Sequence, residues 1–451
     1  MIVMMKAHKA VLSLFQQEKL EAESVLCYLD SFSDELYVPI RVDVPMKHSI
    51  YNIVKSRGKT YLIFNTLFNS MIALSKSEYE QYETLEFSEL DLVGAMVDNG
   101  FIIPCSVYEY EYYMYYKEIL SSKWNNHSHY TIVPTTKCNA RCIYCYEDGV
   151  IQQNMTEEIA DAIADVIIRT NKEFDITWFG GEPLIKVDLI DQISQKLCLA
   201  DVVYSSGIIT NGSLLTEDMI VNKFPLWNIK WVQITIDGLE QEYLRRKCYC
   251  CDTSGLFENL LKNIEILLRN EIHVSIRLNI DKNNMDECVN VAEYLYNRFG
   301  EFSYLNVYPA FIAGNKDSVS DENERILCSC RIYDLFPPNE NVMTEIPKVN
   351  SCYLQQKNAF VIDYDGSILC CERDIGRRNT RICSIYDICS FEDITKPCST
   401  IPDTRLQCKN CAYFPRCLGG CSAENSSLCK YDSCFMEKYK IEYLINRIMK
   451  F

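Results

Sequence analysis

Several features that would decide the function at once are missing from this 451-residue chain. No apolar run reaches the roughly 18 residues that a membrane span needs. The opening stretch "MIVMMKAHKAVLSLFQQEKLE" has only a broken apolar segment and no small-residue cleavage site. A signal peptide is therefore not expected, and the protein reads as cytosolic. Basic excess is absent too. A net charge of −17 leaves no general footprint for nucleic acid. That charge suits a basic partner peptide, although acidic residues kept for solubility are the simpler account. No G-x-G-x-x-G follows the first predicted strand, which argues against a dinucleotide-binding Rossmann sheet. With 48% hydrophobic and 12% aromatic residues, the chain is globular and long enough for two or three domains.

Cysteine is the opposite case. Twenty-four are present, and disulfides are rare in a reducing compartment, so metal or cluster ligation is the better expectation. They crowd into 138–145 and 352–434, whereas residues 1–128 hold only Cys27 and Cys105.

The texture of the chain predicts four segments. In residues 1–104, "YNIVKSRGKTYLIFN" forms a strand pair turning at Ser56-Arg57-Gly58. Helices near 76–84 and 87–99 follow, and "NGFIIP" closes a winged-helix-like module. Residues 105–129 contain the tyrosine-dense "SVYEYEYYMYYKEILSS", a bridging helix packed on a domain surface or, more sharply, an aromatic platform for a peptide. Residues 130–320 alternate strand and helix, with strands at 130–135, 174–179, 203–210, 230–236, 273–280 and 302–309. Such alternation predicts a parallel sheet, and six repeats favour a partial (β/α)6 barrel. From 321 to 451 the periodicity fades, and cysteine-bound clusters are expected to hold what an apolar core cannot.

Barrel enzymes carry their working residues where strands end. Here the first strand is followed by Cys138-x3-Cys142-x2-Cys145 and the second by Gly180-Gly181-Glu182-Pro183. The third leads into Thr210-Asn211-Gly212, and the fourth carries Gln233, Thr235 and Asp237-Gly238; Arg277 and Asn279 lie on the fifth. Three cysteines are one short of a structural zinc site. A zinc knuckle completed by His127, His129 or a distant cysteine would suit the triplet but explains none of the other loops.

With Tyr144 before the last cysteine, and GGEP, TNG and QITIDG following in that order, residues 130–310 resemble the radical S-adenosylmethionine (SAM) superfamily. The resemblance implies that Cys138, Cys142 and Cys145 bind three irons of a [4Fe–4S] cluster and leave the fourth to SAM. Thiolate ligation favours the low potential needed to inject an electron into a sulfonium. It further implies that the Gly180–Pro183 loop, with Glu182 and backbone carbonyls, meets the methionyl ammonium. Thr210, Asn211, Gln233, Thr235 and Asp237 would line the ribose and methionine, and Arg277 and Asn279 would extend the cofactor site. Arg246, or its neighbour Arg245, would pair with the SAM carboxylate. The family shows His-Asp or His-Asn before such arginines, whereas this chain has Tyr243-Leu244.

A second pattern runs through Cys352, Gly366, Cys371, Cys408-x2-Cys411-x5-Cys417-x3-Cys421 and Cys434. It resembles the SPASM domain, the seven-cysteine extension of peptide-modifying radical SAM enzymes, and brings the implied total to three [4Fe–4S] clusters. By that resemblance Cys408, Cys411, Cys417 and Cys434 bind an outer auxiliary cluster, with Cys429 the competing last ligand. Cys352, Cys371 and Cys421 bind an inner one, whose fourth ligand is Cys105, Cys328, Cys330 or an open iron. A zinc ribbon is the alternative for CxxC and CxxxC. Related sulfatase maturases place an aspartate directly after the cysteine matching Cys371; here Glu372 stands there, a candidate catalytic base or a solvated loop carboxylate.

The implied activity is a net oxidation begun by a 5′-deoxyadenosyl radical. The expected substrate is a ribosomally made (RiPP) precursor peptide, cross-linked foremost by cysteine thioethers. Carbon–carbon cyclisation, formylglycine formation and a non-enzymatic cluster-binding adaptor are the alternatives. Expected partners are the peptide, whose leader strand would add to the hairpin edge of residues 40–104, and a low-potential electron donor such as flavodoxin or ferredoxin. The run Cys248-x-Cys250-Cys251 finds no place in this scheme.

Overall fold

The computed structural model of the protein describes residues 2–5, 45–88, 90–111, 113–114, 128–312, 318–319, 321–337, 356, 358–377, 381–389, 394, 406–418 and 435–450. Its N-terminal unit contains β1 (Ile2–Met5), β2 (Met46–His48), β3 (Asn52–Arg57), β4 (Thr60–Asn65) and β5 (Ser70–Ser75). Helices α1 (Lys76–Thr84) and α2 (Leu90–Asp98) and strand β6 (Ile102–Pro104) follow. The β3–β4 hairpin is the predicted strand pair, but its turn is Gly58-Lys59, with Gly58 at φ +63°, because Ser56 and Arg57 still pair with Tyr61 and Thr60. Strands β5 and β1 widen it to an antiparallel sheet in the order β1-β5-β4-β3, while β2 pairs with β6. Ser75 and Glu78 form a capping box that starts α1, a device worth about 1 kcal/mol.

Strand alternation gives this sheet two apolar faces. Ile63, Ile72 and Leu74 pack on α1 and α2 through Tyr82, Leu92 and Met96. Ile53, Leu62, Phe64 and Met71 pack instead on a helix from the far end of the chain, with Ile441, Leu444 and Ile445. Within the tyrosine-dense stretch, Tyr110 and Tyr113 pack against Phe414, so these two serve as packing.

Six parallel strands stand side by side in chain order: β7 (Ser128–Thr135), β8 (Glu173–Gly180), β9 (Val203–Thr210), β10 (Ile229–Thr235), β11 (His273–Ile280) and β12 (Leu305–Phe311). Helices α3 (Glu157–Thr170), α4 (Val187–Leu199), α5 (Glu240–Lys247), α6 (Leu256–Arg269) and α7 (Met285–Phe299) connect them. In α6 the buried residues Phe257, Leu260, Leu261, Ile264, Leu267 and Leu268 recur at helical spacing and form one stripe against the sheet. In β11, Val274, Ile276, Leu278 and Ile280 join that helix-side core. Alternation then sends Ser275, Arg277 and Asn279 to the opposite face, and that polar inner face is where a site can be built.

Two of the parallel strands begin two residues or more from expectation. Ser128 and His129, predicted in the bridging segment, begin β7. The sixth strand starts at Leu305 instead of 302, because Phe302 sits in a turn with its N–H bonded to the Phe299 carbonyl at 3.0 Å. Its ring still packs on the core, which is why an aromatic turn reads as strand.

Helix α8 (Glu322–Leu335) follows β12 and gives Cys328 and Ile332 to the central core. Strand β13 (Ala359–Ile362) then pairs parallel with β7, and β14 (Ser367–Leu369) and β15 (Cys383–Ser384) continue antiparallel. This pairing carries the Cys371 segment to the flank of the first parallel strand. Helices α9 (Leu406–Lys409), α10 (Phe414–Cys417) and α11 (Phe435–Lys450) close the chain. Among the described residues no helix is long and apolar enough to cross a membrane.

Candidate cluster and cofactor site

Cys138, Cys142 and Cys145 lie on the loop beyond β7, at the C-terminal edge of the sheet. Two neighbours hold that loop. From β8, the Gly181 N–H donates to the Thr135 carbonyl at 3.1 Å and the Glu182 N–H to the Lys137 carbonyl at 2.9 Å. The approach leaves no room for a side chain. A Cβ on Gly181 would stand 2.4 Å from the Lys137 oxygen, and one on Gly180, at φ +126°, 2.3 Å from the Thr135 oxygen. From the end of α5, the Lys247 carbonyl accepts from the Arg141 N–H at 3.0 Å and the Arg246 carbonyl from the Ile143 N–H at 3.1 Å. The unexplained cysteine run has its place here. The Cys250 N–H donates to the Asn139 carbonyl at 2.8 Å, and Cys248, Cys250 and Cys251 are all exposed.

Glu182 is fully buried beneath the loop. Its Oε1 accepts from the Thr210 hydroxyl at 2.7 Å and the Leu184 N–H at 3.1 Å; its Oε2 accepts from the Asn211 N–H at 2.8 Å. Burial pushes the carboxyl up while these donors pull it back. Pro183, also buried, opens the short turn that follows. The carboxylate therefore ties the β8 and β9 loops together from below, with its bonds directed into the protein. Asn211 carries the brace to the cysteines: its Nδ2 donates to Asn139 Oδ1 at 2.9 Å and lies 3.9 Å from Cys138 Sγ. The Ala140 N–H is 3.4 Å from the same sulfur.

Tyr144 anchors the other end of the loop. Its hydroxyl bonds to Asp237, and Lys247 Nζ lies 3.0 Å from that hydroxyl and 3.8 Å from Asp237 Oδ2. Asp237 Oδ1 also accepts the Asn279 N–H at 3.0 Å. Arg246 is fully buried, 5.4 Å over the Tyr144 ring, and gives Nη2 to Asp281 at 2.8 Å. Its Nε and Nη1 have no hydrogen-bond acceptor among the described residues. Arg245 is exposed and pairs with Glu242 at 2.6 Å. Sequence reasoning passed over Lys247, because only the turn of the helix decides which of Arg245-Arg246-Lys247 reaches the cysteine loop.

The inner face carries a second polar group. Gln233 Oε1 accepts from the Tyr308 hydroxyl at 2.7 Å, and Arg277 Nε donates to Asn279 Oδ1 at 2.9 Å. Thr235 ends β10 on the same face. Glu372 arrives from the β13–β15 side: the Thr131 hydroxyl of β7 is 3.4 Å from its Oε1. Burial pushes the Glu372 carboxyl up, with Thr131 and then Arg277 pulling it down. Glu147 was also missed in the sequence, where its only signal is its place two residues after Cys145. Burial, then the charges of Asp363 and Glu372, push it up to about 7 against the pull of Arg377.

The loop fits an iron–sulfur cluster. Burial pushes the Cys138 thiol up to about 12 and also raises Cys142 and Cys145, with Lys247 pulling Cys142 down; ligation is what removes such protons. The Ala140 N–H and the Asn211 amide already face the Cys138 sulfur. Among the described residues no three His, Cys, Asp or Glu side chains converge within reach of one metal ion. A cubane asks for less, since each thiolate meets its own iron at a separate corner. His129 bonds Thr177 at 3.0 Å near the start of β7, about 20 Å of strand away from the cysteines. His127 lies outside the described residues.

In the C-terminal segment Cys408, Cys411 and Cys417 share a short knuckle. The Cys411 N–H donates to the Cys408 carbonyl at 3.2 Å and the Cys417 N–H to the Tyr413 carbonyl at 3.0 Å. Cys352, Cys421, Cys429 and Cys434 lie outside the described residues. Of the suggested fourth ligands, Cys328 is buried in the central core, Cys330 packs beside Ala412 and Tyr413, and Cys105 is exposed.

Comparison with known proteins accords with this arrangement. Residues 132–295 match the Radical SAM superfamily. The radical SAM cyclopropyl synthase TigE of Paramaledivibacter caminithermalis is 26% identical over 263 residues, covering 53% of this chain and 54% of that protein. A GTP 3′,8-cyclase of Clostridium botulinum is 27% identical over 167 residues, covering 35% and 50%. The chain thus spans about half the length of these two curated relatives. Among solved structures, anSMEcpe with bound AdoMet and Cp18Cys peptide superposes with a TM-score of 0.55 at 18% identity, covering 71% of this chain and 98% of that one. At that identity the likeness is one of fold.

Proposed function

Because the chain carries a radical SAM domain over residues 132–295, we propose that it matures a ribosomally synthesised precursor peptide by oxidative cross-linking, foremost through cysteine thioethers. The placement of Glu372 carries this reading: a carboxylate directly after Cys371, delivered to the polar inner face beside Thr131. That anSMEcpe, which shares the fold, was solved with a bound peptide supports a peptide as the substrate class.

Cys138, Cys142 and Cys145 would hold the SAM-binding cluster, and with SAM bound the site supplies a carbon radical able to take hydrogen from an unactivated C–H bond. The SAM site proper is assigned to the Gly180–Pro183 loop, Thr210, Asn211, Gln233, Thr235, Asp237, Arg246, Arg277 and Asn279. Glu182 and Tyr144 keep the loop in register from below and behind. Cys408, Cys411, Cys417 and Cys434, with Cys352, Cys371 and Cys421, would hold two auxiliary clusters suited to one-electron acceptance. Joining a thiol to a carbon releases the thiol proton, and Glu372 would take it up.

The N-terminal unit would bind the leader by strand addition. Its sheet is covered on both faces, and β1 pairs with the outer edge of β5. Along β3, Asn52–Arg57, runs the edge that faces no other strand of the described residues, and the leader would add there. Carbon–carbon cyclisation is the second reading, favoured by the similarity to a cyclopropyl synthase.

Anaerobic coexpression with a short cysteine-rich peptide encoded beside the gene, read by mass spectrometry, tests the proposal. A loss of two hydrogens per cross-link is expected, abolished when Cys138, Cys142 and Cys145 are all replaced by Ala. Loss of water, or an unmodified peptide, counts against it. Alkylation of free thiols in the product separates the two readings, since only a thioether consumes the cysteine.

A further inference from the structure

The N-terminal unit and the cysteine-rich segment share one core. Tyr51, Leu67, Phe68 and Tyr113 are buried together with Phe414 and Leu418, and the side chains of Cys408 and Cys411 pack on that cluster. Polar bonds fix the docking. Arg416 Nε donates to the Thr66 carbonyl at 3.2 Å, the Tyr113 hydroxyl to the Pro415 carbonyl at 3.2 Å, and the Thr66 hydroxyl to the Ala412 carbonyl.

One group in this junction is unmatched. Tyr51 is fully buried, and its hydroxyl has no hydrogen-bond partner among the described residues. Leaving such a donor unpaired costs about 1–3 kcal/mol, so an acceptor belongs there. Tyr110 and Cys411 pack on the cluster that buries Tyr51, and Glu109 is held beside it by Ser49 and Ile50. Glu109 already accepts from the Ser49 hydroxyl at 2.5 Å and the Ile50 N–H at 2.8 Å, and the Tyr110 ring is packed 5.3 Å from that of Phe414. Neither these oxygens nor the Cys408, Cys411 and Cys417 sulfurs lie within hydrogen-bond distance of the hydroxyl, so the acceptor is one the described side chains do not supply, and an inorganic sulfide of a cluster seated on that knuckle is such an atom.

We propose that the Tyr51 hydroxyl donates a hydrogen bond to a sulfur of an iron–sulfur cluster held by Cys408, Cys411 and Cys417, making the N-terminal unit one wall of that metal site. The inference rests on the auxiliary-cluster reading above and extends it to a residue more than 350 positions away in the chain. A donor to a cluster sulfur favours the electron-rich state and so raises the reduction potential, more strongly where apolar side chains exclude water. Tyr51 is thus a positioning and tuning residue for the cluster, contributed by the unit proposed to bind the peptide.

The test uses the full-length, anaerobically reconstituted protein and redox titration followed by electron paramagnetic resonance. Tyr51→Phe keeps the ring and removes the donor; it should leave iron content unchanged and move the midpoint of one cluster to lower potential while the others stay. Tyr113→Phe breaks a bond in the same junction to a carbonyl, and should leave every midpoint where it was. Unaltered midpoints in Tyr51→Phe at wild-type iron content would overturn the inference. Replacing Cys408, Cys411 and Cys417 by Ala tests the underlying reading separately, through the loss of roughly four irons per chain. If that iron is not lost, both fall; if it is lost and Tyr51→Phe is silent, only the role of Tyr51 falls.

Discussion

Replacing Glu182 with Gln separates two roles for one carboxylate. By family resemblance Glu182 meets the SAM ammonium; by the observed geometry it braces the protein. Three donors converge on its two oxygens: the Thr210 hydroxyl, the Leu184 N–H and the Asn211 N–H. Gln can keep two of these bonds on its one oxygen, but its amide group must then face the third donor inside a fully buried site. The loss of a charge-assisted bond and the creation of two opposed, unpaired donors sum to about 2–4 kcal/mol. The Asn211 backbone is the donor left facing the amide, and its side chain lies against Cys138 Sγ and Asn139, so the cysteine loop should loosen as well. Urea unfolding of the reduced, metal-free protein reads the first effect; iron release to a chelator reads the second. Both should change together. A variant within about 0.5 kcal/mol of wild type, with normal iron retention and weakened SAM binding, would refute the brace and restore the ligand.

Gly207 and Trp231 offer an independent check. A Cβ on Gly207 would stand 1.9 Å from the Trp231 ring on the neighbouring strand, so Gly207→Ala should cost about 1–3 kcal/mol in urea, with partial rescue by adding Trp231→Leu; additive effects in the double variant would count against the contact. Asp363 predicts a pH dependence. Burial pushes it from 3.8 to about 6, against bonds from the Gly376 and Tyr364 amides. Because the folded state binds this proton more tightly than the unfolded one, the favourable contribution is full below pH 3.8 and is lost as pH rises through 6, by about 3 kcal/mol at most. Asp363→Asn should flatten that part of the stability profile, and an unchanged slope would show that another group is responsible.

The parallel sheet was legible because its chemistry repeats. In β11 the order His-Val-Ser-Ile-Arg-Leu-Asn-Ile announces a strand with one apolar face, and the loops after successive strands carry Cys, Gly-Gly-Glu and Thr-Asn in an order that no turn requires. Strand β5 was not, because "SMIALS" runs without a break into the helix at Lys76 and shows its strand character only beside β4. The roles within Arg245-Arg246-Lys247 were equally hidden. Each step along a helix turns a side chain by about 100°, so neighbours of like charge meet different surroundings: Arg245 meets Glu242, Arg246 meets Asp281, and Lys247 meets Tyr144. Glu182 shows a third kind of limit. A motif marks where a loop must be, but not whether its carboxylate faces inward or outward. Contacts such as Arg416 with Thr66 leave no local trace in sequence.

The far face of the N-terminal sheet has a bearing on how the chain is made. Ile53, Leu62, Phe64 and Met71 find their apolar partners in α8 and α11, and α11 begins about 360 residues after Met71. At a translation speed of roughly 5–20 residues per second, that face waits on the order of 20–70 s for the helix that covers it. During synthesis it is an uncovered sheet, open to chaperones and to neighbouring chains on the same messenger. Expression at lower temperature, or with holding chaperones in excess, should therefore affect yield more than any change within the parallel sheet, whose layers are completed from adjacent segments as they emerge.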